Sequence, residues 1–77
     1  MTIEELDRLM ETAAHNRLIV HAVDFDGIEY EGVACHYCEP DNNEDGFASF
    51  CIRDPEININ LSSNELKHLE IISAGRT

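Results

Sequence analysis

Residues 18–37, LIVHAVDFDGIEYEGVACHY, constrain the fold more than any other segment, because two strand-forming runs flank Asp26-Gly27. Asp-Gly between β-prone runs signals a two-residue type I′ hairpin. With Phe25 paired to Ile28 across that turn, Val23 falls opposite Tyr30, Val20 opposite Val33 and Asp24 opposite Glu29. Side chains alternate between the faces of a strand, so this pairing sorts the apolar residues into two sets of opposite parity. Near the turn the set is Val23, Phe25, Ile28 and Tyr30; beyond Gly32 it is Leu18, Val20, Val33, Cys35 and Tyr37. One core accepts both sets only if the second strand bends, and glycine inside a strand often marks such a bend. The bend is expected at Gly32, as a small closed barrel requires.

The flanking segments supply the other elements. Thr2 and Glu5 have capping-box spacing, and Ile3, Leu6, Leu9, Met10 and Ala13 recur at three- and four-residue intervals. This predicts a helix over about residues 3–15, ending near Asn16. A helix of this length is marginal alone in water, so its apolar stripe needs a cover. It is expected as a lid on the barrel, with a docking helix for a partner as the alternative. EPDNNEDG, residues 39–46, is polar and aperiodic and reads as an exposed loop. FASFCIR, residues 47–53, forms a third strand with Ala48, Phe50 and Ile52 on one face. Asp54-Pro55 starts a turn, and EININL, residues 56–61, alternates with Ile57, Ile59 and Leu61 inward. Ser62 or Ser63 caps one helical turn before a last strand near residues 67–72, and SAGRT, residues 73–77, is expected to fray. The expected architecture is a single domain over residues 1–77, mainly β with an N-terminal α-helix, a small five-stranded SH3-like or Sm-like barrel.

Charge narrows the function classes. Sixteen Asp and Glu against five Lys and Arg give a net charge of −11 in 77 residues. Such a surface repels phosphate backbones, so direct nucleic-acid binding is not expected. It steers toward basic partners instead. Apolar runs reach only three residues, as at Leu18–Val20, so no membrane span is expected. Three cysteines, an odd number, with no charged leader and apolar run before them, argue against a secreted disulfide framework and for a reducing cytoplasm.

Val20, Val23, Asp26-Gly27, Gly32 and Asp41-Asn42-Asn43 resemble the first Sm motif, in which a hairpin glycine, a strand-bend glycine and an Asp/Asn-bearing loop recur at similar spacing. Asp41 and Asn43 stand where Sm proteins place base-contacting loop residues. The later Arg/Lys-Gly element of that pattern is replaced by SSNEL, which carries no cation, so the RNA-binding or ring-forming Sm module is the second reading. The helix, the Asp-Gly hairpin and the ending INLSSNELKHLEII are similar to the Rof family, small inhibitors of the transcription terminator Rho; YolD-like proteins share a comparable layout. The Rof resemblance implies an acidic surface docking on a basic RNA-binding face.

The chemical constellations are weaker. Cys35 and Cys38 have C-x-x-C spacing, and with His36 and Cys51 they supply the number and kind of ligands a closed zinc site takes. No second C-x-x-C completes the pattern, so buried, unreactive cysteines are expected, no cofactor is required, and zinc is kept as an alternative. Glu39 and Asp41 beside the pair disfavour a reactive thiolate. Carboxylate pairs need a pocket that so short a chain barely encloses, so no enzyme is expected. The partner surface is assigned to Asp24, Asp26, Glu29 and Glu31 on the hairpin and Asp41, Glu44 and Asp45 on the loop.

Overall fold

The computed structural model describes residues 2–54 and 58–73, the last by its backbone alone. The chain runs α1 (Ile3–His15), β1 (Ile19–Asp24), β2 (Glu29–Cys38), β3 (Ser49–Arg53), β4 (Asn58–Ser62) and β5 (Leu66–Ser73). Single 3₁₀ turns at Pro40–Asn42 and Ser63–Glu65 follow β2 and β4. The strands form one antiparallel sheet in the order β4-β3-β2-β1-β5. An N-terminal helix followed by five antiparallel strands is the architecture expected from the sequence.

The sheet cannot be flat. Five strands at about 4.8 Å spacing would hold the edge strands roughly 19 Å apart. Ser62, at the end of β4, and Leu66, at the start of β5, are four chain steps apart and can span at most roughly 14 Å. The sheet therefore curls until its edges approach, although among the described residues no ladder joins β4 to β5. The connecting turn is tied by the Glu65 carboxylate, which accepts from the Ser62 N–H at 2.9 Å.

The helix begins where the capping box places it: Thr2 N–H donates to Glu5 Oε1 at 2.8 Å, and Glu5 N–H donates to Thr2 Oγ1 at 3.1 Å. It ends through Arg17, whose φ of 51° lets Leu18 N–H reach the Ala13 carbonyl at 2.9 Å and its own N–H reach Ala14 at 3.3 Å. That pattern is a Schellman closure, with an arginine where glycine is usual. Leu6, Met10, Ala13 and Ala14 are buried against the sheet. The helix is thus a lid over the sheet, with Leu9 partly buried and Ile3 exposed at its N-terminal end. Val20, Ala22, Ala34, Ala48, Phe50, Ile52, Leu61, Leu66 and Leu69 complete the core.

The hairpin register differs from expectation by one residue. Val23 pairs with Glu29, Ala22 with Tyr30, Val20 with Gly32 and Ile19 with Val33. The turn is a three-residue loop, Phe25-Asp26-Gly27: Gly27 N–H donates to the Asp24 carbonyl at 3.1 Å, Asp24 N–H donates to Ile28 at 3.0 Å, and Gly27 has φ 84°. A turn closed by a left-handed glycine is the common three-residue hairpin. Val20 and Tyr30 face the core as expected, whereas the single-residue shift brings Ala22 and Ala34 inward with them and leaves Val23, Phe25 and Ile28 outside the core.

The parity change is real but lies further along. Register runs unbroken through Gly32 and breaks between Cys35 and Cys38, where His36 adopts φ 56°. Ala34 is inward before this bulge and Tyr37 packs on the core after it; Val33 is half-buried, and Cys35 is buried as expected but lies outside the main core cluster. Gly32 has another duty. A Cβ there would lie 2.5 Å from the Arg53 carbonyl oxygen and 3.0 Å from Ile52 Cγ2, so β3 approaches β2 as closely as only glycine permits. Ala48, Phe50 and Ile52 face the core as expected, and Ile59 and Leu61 follow in β4. The expectations for the Asp54-Pro55 turn, for Ile57 and for the tail beyond Ser73 fall outside the described residues.

Candidate functional site

The acids assigned to the partner surface divide into those the fold consumes and those it leaves in solvent. Asp24 is consumed. Its Oδ1 accepts from the N–H groups of Asp26 and Ile28, each at 2.9 Å, and its Oδ2 accepts from the Tyr30 hydroxyl at 2.9 Å. Desolvation pushes this carboxyl up, but the Ile28 N–H, the Tyr30 hydroxyl and the Asp26 N–H outweigh it and hold the pKa below the ordinary 3.8. The same bond raises the Tyr30 phenol above 10.0. Asp24 is therefore a brace of the hairpin.

Asp26, Glu29 and Glu31 are exposed beside that brace. Glu29 Oε1 lies 2.9 Å from His21 Nε2, and Glu70 Oε1 lies 3.7 Å from His21 Nδ1. His21 also pairs in register with Glu31, so a histidine on the outer face of β1 is bracketed by acids from β2 and β5.

The second acidic segment is held by an amide. Asn43 Nδ2 donates to the Phe47 carbonyl at 2.7 Å, to Ser49 Oγ at 3.3 Å and to the Glu39 carbonyl at 3.5 Å. Asp45 Oδ1 accepts from the Phe47 N–H at 3.0 Å, and Gly46 takes φ 77°. Asp41 and Glu44 remain exposed. A shallow polar groove lined by Asn43, Glu44, Asp45, Ser49, Asn60 and Ser62 runs beside this loop. The amide resembling a base-contacting Sm residue is thus committed to closing the loop.

The alternative zinc ligands do not converge. The C-x-x-C lies along a bulged strand instead of curling into a knuckle, with Cys35 buried on the outer face opposite Cys51 and with His36 and Cys38 exposed. All three cysteines are free thiols, and burial, followed by the neighbouring Cys35, pushes the Cys51 thiol above 9.0. His36 Nε2 instead sits 3.3 Å from an Arg53 guanidinium nitrogen. Among the described residues, no group of three or more His, Cys, Asp or Glu side chains is placed to hold a metal ion.

Two residues assigned to the core from the sequence stand instead in solvent beside the hairpin acids. Phe25 is 69% exposed and Ile28 52% exposed at the hairpin tip. The same letters allowed a three-residue loop with glycine last, braced by an Asp two residues before Asp26, and that alternative carried the signal.

The fold and site define a small helix-capped, curled β-sheet protein with an acidic hairpin and an acidic loop. No family model and no curated protein matches the chain. Among solved structures it is similar to YaeO bound to magnesium from Vibrio cholerae O395, at 25% identity and a TM-score of 0.69, over 84% of this chain and 80% of that one. Among the described residues, no helix is long and apolar enough to cross a membrane.

Proposed function

We propose that this protein is a non-enzymatic adaptor of the Rof type, an Sm-like small barrel whose acidic face occupies a basic surface of a nucleic-acid-binding protein, with Rho the partner to be tested. The observation that carries the reading is the likeness to YaeO over most of both chains, which fits the Rof resemblance read from the sequence. The net charge of −11 and the exposed Asp26, Glu29, Glu31, Asp41 and Glu44 supply the complementary sign. A partner that uses Lys and Arg to hold RNA loses that site when an acidic protein covers it. Asp24 and Asp45 act beneath this face by fixing the turns that present it. The setting implied is a cytoplasmic one, with no resident metal or cofactor.

Purified Rho, tested for RNA retention and for termination in the presence of this protein, decides the matter. Competition with RNA that weakens with salt is the expected result. Unchanged termination and unchanged RNA binding would remove the Rho assignment. Charge reversal by Glu29→Lys with Glu31→Lys should lower the association rate and flatten its salt dependence; indifference to both would remove the electrostatic mechanism.

A further inference from the structure

The hairpin tip combines three properties that no other exposed part of the described chain shares. It carries two large apolar side chains, Phe25 and Ile28, three residues apart. Its backbone is locked by Asp24 and Gly27, through two bonds to Asp24 Oδ1 and one to the Asp24 carbonyl. It is flanked by exposed Asp26, Glu29 and Glu31. A scattered exposed apolar residue means little. A braced loop that holds a phenyl ring and a branched aliphatic side chain outward has already lost most of the freedom that docking would cost.

Charge decides what covers this tip. A second copy brings another −11, and phosphate-rich membranes and nucleic acids are repelled in the same way. The complement of an apolar point inside an acidic ring is an apolar cleft rimmed by Lys and Arg on another protein.

We infer that Phe25 and Ile28 are the apolar anchor of this protein, docking in such a cation-rimmed cleft while the surrounding acids guide approach. The inference rests on the proposed function and divides its labour. Exposed acids set the association rate and its salt dependence, and the buried aromatic anchor sets the lifetime of the complex. Aromatic side chains are suited to this because each covers about 150–250 Å² with few rotors to freeze.

The test uses purified Rho as the immobilised probe and the full chain in solution. Phe25→Ala combined with Ile28→Ala should dissociate about 30-fold faster, the size of a two-residue hot spot, with the salt slope of association unchanged. Phe25→Leu should recover most of the lifetime. Both variants should melt with the wild type, because these side chains contribute little to the core. If the wild type binds and the double alanine variant dissociates within twofold of it, the anchor is overturned while the acidic adaptor stands. If the wild type fails to bind Rho at low salt, the adaptor reading falls and the anchor falls with it. A double variant that changes the salt slope but not the lifetime also overturns the anchor.

Discussion

The hairpin tip and the loop after β2 are both acidic and exposed, yet the side chain that makes the most bonds in each has opposite chemistry. In the hairpin a carboxylate, Asp24, accepts from two N–H groups and a phenol. In the loop an amide, Asn43, donates to two carbonyls and a serine. Each region spends one acid on shape, Asp24 in the hairpin and Asp45 in the loop, after which the hairpin displays apolar residues and the loop keeps Asp41 and Glu44 for solvent. Counting acids in a segment overstates the charge available to a partner, because some carboxylates are already engaged with the backbone.

The largest effect is expected where the strand connecting the two regions is pressed against β3. Gly32→Ala places a methyl group 2.5 Å from the Arg53 carbonyl oxygen, so β2 and β3 must separate. Overpacking of this kind costs about 1–3 kcal/mol, and a lowered melting temperature with lost amide protection in both regions checks it. An effect confined to one region would show that the two are not held through β2.

Next comes Asn43→Ala, which leaves the Phe47 carbonyl without its 2.7 Å donor. A cost of about 1–2 kcal/mol is expected, and hydrogen exchange should rise over residues 39–49 with the hairpin unaffected. Equal loss in both segments would break the separation of the two ties.

A smaller, pH-dependent change should follow Asp24→Asn. The Asp24 pKa lies below its ordinary 3.8 in the folded protein, so the unfolded chain binds the proton more readily. Its stabilising contribution is complete above that ordinary value and disappears as pH falls through the folded value. Acid titration of the wild type should therefore loosen the hairpin, and the asparagine variant should flatten that loss. Some acid dependence will persist, because Glu5 is also held below its ordinary 4.5, first by the Thr2 N–H. A wild-type hairpin insensitive to pH between 5 and 2, roughly the range of carboxylate titration, would refute the brace.

The smallest effect on folding is expected for Asp41→Gln with Glu44→Gln. Exposed acids without a structural partner should change stability by no more than about 0.5 kcal/mol, while association with a basic partner slows. Thermal melts and association rates separate the two consequences.

Local sequence signals succeeded where the chemistry was local. Thr2 and Glu5 named the helix start, Ala48, Phe50 and Ile52 named the inner face of β3, and Ser62 marked the 3₁₀ turn. The hairpin was harder, because Asp24-Phe25-Asp26-Gly27 supports both a two-residue and a three-residue turn, and the choice inverts the inward face of β1 near the turn. The bulge was harder still. His36 at φ 56° carries no glycine or asparagine signature, and only the contacts of β2 with β1 and β3 require it.

What the sequence alone determined is the set of elements, one helix and five strands, because periodicity and capping act within a few residues. The net charge of −11 was equally plain from the letters. Tertiary structure decided which face each strand turns inward, where β2 bends, which acids are free and why Phe25 and Ile28 stand in solvent. Those outcomes depend on register and close approach between segments distant in the chain, and a one-residue shift, invisible to local preference, reverses them.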